Sequence, residues 1–99
     1  MKDKILTLLK QVNAKELKFA KFKVYYDDKK TSVIISKGKK LLEIKYNSGS
    51  DLYDLQIYKN CTTEPQIKQG YYAEMLQPFI QDFFKFEYVM DSFFKGVQQ

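Results

Sequence analysis

Histidine, arginine and tryptophan are missing from this 99-residue chain, cysteine occurs once, proline twice and glycine four times. Each shortage excludes a chemistry. Without histidine the usual general base at neutral pH is lost, and neither a Ser-His-Asp nor a Cys-His arrangement can be built. A single thiol, Cys61, closes no intrachain disulfide and no cysteine-rich zinc site, and its default reading is a lone buried thiol at the end of a strand. Four scattered glycines form no phosphate-cradling loop. Apolar runs stop at about three residues, too short for a membrane span or the core of a signal peptide. An intracellular, non-enzymatic protein without cofactor or metal is the expectation.

What is present points to one folded domain over residues 1–99. Hydrophobic residues make up 44 % and aromatics 16 %, too many for a disordered tail. All 17 basic residues are lysine, against 12 acids, for a formal charge of +5. Lysine is a point charge on a flexible stem and cannot reproduce the two-pronged grip of arginine on phosphate or guanine. The charge is uneven. Residues 1–45 hold 13 lysines and 5 acids, a net of +8; residues 46–99 hold 4 and 7, a net of −3. Aromatics run the other way, 4 in the first part and 12 in the second.

The first segment predicts a short helix started by Asp3 and stopped at Asn13, with Ile5, Leu8, Leu9 and Val12 on one face. The period then changes to two. Ala20, Phe22, Val24 and Tyr26 alternate with Phe19, Lys21, Lys23 and Tyr25, which predicts a strand over 18–26. Residues 31–36, 41–46 and 52–59 predict three more strands, separated by turns at Asp27–Lys30, Lys37–Lys40 and Asn47–Asp51. Thr63-Glu64-Pro65-Gln66 has the form of a capping box opening a helical region. Tyr72, Leu76, Phe79, Phe83, Phe86, Met90, Phe93 and Val97 then recur at spacings of four and three, with a kink or break expected near Pro78 and the main helix over 79–95. The fold expected is α+β: an antiparallel meander of about four strands, flanked by an N-terminal helix and a long Phe-rich C-terminal helix packed on one face.

Two surfaces stand out. The C-terminal helix carries more apolar area than a small sheet shelters, so Ile80, Phe84 and Phe94 are expected to form a self-association face for a homodimer or a protein partner. The plain alternative is that the N-terminal helix covers them. Phe19, Lys21, Lys23 and Tyr25, on the outer side of the first strand, offer rings for stacking and charges for phosphates, so nucleic acid is a second expected partner. The plain alternative there is a solvated strand face. Lys29-Lys30 and Lys37-Lys39-Lys40 lie in turns at opposite ends of a meander and make no joint patch, and Asp27-Asp28, Asp51 and Asp54 show no sign of a catalytic pocket.

The order helix, meander, helix, with the stretch Lys18-Phe19-Ala20-Lys21-Phe22-Lys23-Val24-Tyr25-Tyr26, resembles the Alu-domain subunits of the signal recognition particle. That resemblance implies RNA bound on a concave basic sheet. A fourth strand and the lack of arginine depart from it, so no residue role carries over. The arginine-free, lysine- and tyrosine-rich composition, with doublets such as Tyr25-Tyr26 and Tyr71-Tyr72, resembles small orphan proteins of filamentous DNA viruses of hyperthermophilic archaea. That resemblance implies a virus-encoded accessory protein acting in the host cell, built to withstand heat.

Overall fold

The computed structural model describes residues 2–60 and 64–88. Helix α1 (Lys2–Gln11) and helix α2 (Ala14–Phe19) lead into strands β1 (Lys23–Asp27), β2 (Ser32–Lys37), β3 (Lys40–Asn47), β4 (Leu52–Tyr58) and β5 (Gln66–Tyr71). A 3-10 turn (Ala73–Met75) then leads into helix α3 (Leu76–Phe84). The fold is α+β. Its single sheet runs β1-β2-β3-β4-β5, every neighbour antiparallel.

Alternation along the strands sorts residues onto two faces. Val33, Ile35, Leu42, Ile44, Tyr53, Leu55 and Ile57 point to one side and are buried. Against them pack Leu8 of α1, Val12 just past its end, Ala14 and Leu17 of α2, Leu76 and Ile80 of α3, and Tyr88 beyond it. Each such buried aliphatic contributes roughly 1.5–3 kcal/mol. The other face lies away from this core. There Lys23, Tyr25 and Asp27 of β1 align with Ser36, Ile34 and Ser32 of β2.

Local signals set the turns. Asn13 takes a left-handed φ of 55°, which ends α1. Its side-chain oxygen then accepts from the Glu16 backbone N–H, and its amide donates to the Glu16 carboxylate at 3.1 Å, so it also starts α2. Gly38, at φ 62°, opens the two-residue turn between paired Lys37 and Lys40, where a side chain at positive φ would be strained. Asn47 accepts from the Gly49 and Ser50 N–H groups and folds the β3–β4 loop.

Three expectations are corrected. Residues 18–26 are not one strand. Lys18 and Phe19 finish α2, the chain turns at Ala20 and Lys21, and β1 begins only at Lys23. Phe22 is buried because it closes the helix end, not because it belongs to a strand. The sheet has five strands rather than four. Gln66 opens β5 instead of a helix, and Thr63 and Cys61 lie outside the described residues. The C-terminal helix is short. Pro78 sits in the first turn of α3, where a missing N–H removes no helical bond, so of the kink or break expected there the chain shows a helix start. Lys85, at φ 56°, ends it, and Phe86, Glu87 and Tyr88 are not helical. Met90, Phe93, Phe94 and Val97 lie outside the described residues.

Candidate nucleic-acid interface

Helix α2 is only six residues long, and its end decides where several lysines go. The Phe22 N–H donates to the Leu17 carbonyl at 2.9 Å, and the Lys21 N–H donates to the Lys18 carbonyl at 3.1 Å. Those paired bonds, with buried Leu17 and Phe22, are the Schellman stop, whose left-handed position is usually glycine. Here that position is Lys21, at φ 73°. The stop leaves the Phe19 ring 88 % exposed at the last residue of the helix, beside Lys18. Two residues past Lys21, Lys23 enters β1 opposite Ser36.

The tip of the β2–β3 hairpin lies at the same end of the sheet, because β2 ends where β1 begins. Lys37 donates to the Ala20 carbonyl at 3.3 Å, and its ammonium lies 4.7 Å from the Phe22 ring centre. Lys40 donates to the Phe83 carbonyl at 2.7 Å and lies 5.3 Å from that ring. Both ammoniums thus meet carbonyls at helix C-termini, where the helix dipole favours a cation. They fasten the hairpin to α2 and α3. Lys39, between them, is exposed at the tip, and Lys59 is exposed one residue past β4. Among the described residues, Lys18, Lys21, Lys23, Lys39 and Lys59 pair with no carboxylate. The stretches 17–26 and 36–42 contain no acid. Lys85 is at this end too, but it shares a surface depression with Asp82 and Glu87 and adds little net charge.

The opposite end is built differently. Asp27 accepts from the Lys29 and Lys30 N–H groups. The Tyr46 hydroxyl donates to Asp51, Lys4 lies 4.6 Å from the Tyr46 ring centre, and Lys4 meets Asp51 at 3.9 Å. The hydrogen bond to Asp51 holds the Tyr46 hydroxyl above its ordinary pKa, helped by burial. Tyr53 donates to Gln11 at 2.7 Å, and burial raises its pKa as well. These groups line a cleft of about 260 Å³ with Thr7, Tyr72 and Glu74.

The four residues expected on a nucleic-acid face are therefore divided. Phe19, Lys21 and Lys23 meet at the basic end, whereas Tyr25 lies farther along the open sheet face. That open face is not basic: Lys23 and Lys45 share it with Asp27, Glu43 and Asp54. Of the expected self-association face, Ile80 is fully buried in the core. Phe84 is half-buried, edge-on to Phe22 at 5.1 Å and to Phe83 at 4.7 Å, and Phe94 lies outside the described residues. The spare ring area of α3 goes to Phe22 and the hairpin lysines rather than to solvent. Reading the sequence alone missed Lys18, Lys39 and Lys59. The signal was available in the meander itself, since the turn at 37–40 must return to the start of the first strand.

Among the described residues no helix is long and apolar enough to cross a membrane, and no three His, Cys, Asp or Glu side chains gather as metal ligands. Compared with protein-family models, curated proteins and solved structures, the chain matches none.

Proposed function

We propose that this protein is a binding module rather than an enzyme, and that it holds single-stranded nucleic acid at the lysine-rich end of its sheet. One observation carries the reading: Lys18, Lys21, Lys23 and Lys39 lie at the end of the sheet where Phe19 is 88 % exposed, and among the described residues none of them pairs with a carboxylate. A ring left in water beside unpaired ammoniums has no role in the core. A base stacked on Phe19, with its flanking phosphates on the lysines, uses both. Lysine reads charge rather than base edges, so binding is expected to be indifferent to sequence. Self-association is a separate property; of the α3 residues expected to carry it, Ile80 lies in the core and Phe84 is half-buried.

The test is fluorescence anisotropy with mixed-sequence single-stranded oligonucleotides over a salt series. About five phosphate contacts give a log–log slope near −3.5, hence a roughly 100-fold loss of affinity between 50 and 200 mM salt. Phe19→Ala removes a stacking platform worth about 1–3 kcal/mol, and the ring's exposure means that folding is left intact. No binding at 50 mM salt, or an affinity that Phe19→Ala leaves unchanged, overturns the reading.

A further inference from the structure

The two edges of the sheet are guarded unequally. Strand β5 has a register shift against β4 between Tyr53 and Leu55, and Gly70 within it has φ 77°. Such an irregularity twists an edge away from further pairing. Strand β1 has no such device. It pairs with β2 in unbroken register, contains no proline or glycine, and among the described residues no strand pairs with its outer edge. Its central residues, Tyr25 and Tyr26, are each 56 % exposed, a large apolar outlay for a strand of five residues.

The strand sequence is Lys23-Val24-Tyr25-Tyr26-Asp27. Read antiparallel to itself about Tyr25, it is complementary at every position. Lys23 falls opposite Asp27 of a second copy, Val24 opposite Tyr26, and Tyr25 opposite itself. The faces agree as well. Lys23, Tyr25 and Asp27 all point to the open side, so both charge pairs and the tyrosine pair form there. Val24 and Tyr26 meet on the helix side. One carboxylate oxygen of Asp27 is held by the Lys29 and Lys30 N–H groups, and the other remains for the ammonium of the second copy.

We infer that β1 is a homodimerisation edge: two copies of this chain pair β1 to β1 about a two-fold axis at Tyr25 and form one continuous ten-stranded sheet. The arrangement is isologous and closes after two copies, so it makes dimers and not fibres. Opposed tyrosines, a β-branched–aromatic pair on each side and an ion pair at each end are the cross-strand partners that favour sheet pairing. The basic ends of the two copies then lie at opposite ends of the dimer. In this dimer Lys23 is taken by Asp27 of the second copy, which leaves Lys18, Lys21, Lys39 and Lys59 at each basic end, and the inference stands whether or not those four bind nucleic acid.

The decisive experiment uses single cysteines in a Cys61→Ser background under mild oxidation. Tyr25→Cys faces its own copy across the axis and is expected to crosslink alone. Val24→Cys and Tyr26→Cys are expected to stay unlinked separately and to crosslink when mixed. In solution, light scattering is expected to give a concentration-dependent mass approaching twice 11.8 kDa. Lys23→Glu sets like charges opposite each other twice, and is expected to weaken the dimer at least 10-fold. Adding Asp27→Asn, which keeps the turn acceptor and removes the repulsion, is expected to restore much of it. A monomer at every concentration overturns the inference, and so does equal crosslinking by Val24→Cys alone.

Discussion

The two ends of the sheet hold similar charged residues and use them in opposite ways. At the far end Asp51 takes the Tyr46 hydroxyl and Lys4, Asp27 folds its own turn, and the Asn47 amide donates to Asp54 at 3.3 Å. At the near end Lys37 and Lys40 are tied to helix carbonyls, but Lys18, Lys21, Lys23, Lys39 and Lys59 are tied to nothing among the described residues. The difference teaches how to separate structural from available charge in a small protein. A charged side chain that closes a turn or caps a helix is already committed. Several like charges left unpaired around an exposed ring repel one another, and an anionic ligand relieves that cost.

The largest expected effect breaks this comparison directly. Reversing three near-end lysines, Lys21→Glu, Lys39→Glu and Lys59→Glu, removes three phosphate contacts and is expected to lower oligonucleotide affinity about 100-fold or more at low salt. Reversing three far-end lysines, Lys29→Glu, Lys30→Glu and Lys45→Glu, changes net charge equally. It is expected to cost far less, through long-range repulsion alone. Equal losses from the two triple variants would mean that total charge matters and place does not.

The next effect acts through the fold on which both ends are mounted. Tyr88 is buried, and its hydroxyl donates to the Val12 carbonyl at 2.8 Å, tying the segment after α3 to the end of α1. Burial, with a smaller contribution from the charge of Glu16, pushes its pKa up. Tyr53 and Tyr46 shift the same way. A raised phenol keeps its proton in the folded state when the unfolded chain has lost it. Its stabilisation is therefore complete below the unfolded value, about 10, and is lost as pH rises through the folded value. Thermal melts are expected to show a constant Tm up to about pH 9.5 and a steep fall above pH 10. Tyr88→Phe is expected to cost about 1–2 kcal/mol at neutral pH through the lost buried hydrogen bond, and to flatten the alkaline fall. A Tm indifferent to pH from 9 to 12 would contradict the burial of the Tyr88 hydroxyl.

Much of this architecture can be read from residues alone, for definable reasons. Helix α1 shows because Ile5, Leu8 and Val12 recur at helical spacing, and β3 and β4 show because Leu42-Ile44 and Tyr53-Leu55-Ile57 alternate over a half-buried sheet. Helix α2 is hidden because six residues hold less than two turns, while Ala20-Phe22-Val24-Tyr26 imitates a strand by coincidence of a helix stop and a strand start. Strand β5 is hidden because an edge strand of Gln66-Ile67-Lys68-Gln69-Gly70-Tyr71 has little to bury and shows no clean alternation. The end of α3 is hidden because Lys85 stands where a glycine would announce it. At the candidate site, Phe19, Lys21 and Lys23 were visible as a lysine–aromatic run. Their company with Lys39 depends on which end of β1 meets the hairpin tip, and that is a fact of pairing rather than composition.

The smallest effect sharpens the comparison most, because stability and binding are expected to move in opposite directions. Lys21 holds a left-handed conformation that costs a residue with a Cβ about 1 kcal/mol and costs glycine almost nothing. The same applies at the far end to Asp51, at φ 59°, but the Asp51 side chain recovers part of that cost through Tyr46 and Lys4. The Lys21 side chain recovers nothing among the described residues. Lys21→Gly is therefore expected to stabilise the fold by up to about 1 kcal/mol in urea denaturation while weakening oligonucleotide binding several-fold. Asp51→Gly is expected to bring no such gain, since it releases Tyr46 and Lys4 together. A Lys21→Gly variant that gains stability and binds as tightly as before would show that this lysine serves neither the helix stop nor the ligand.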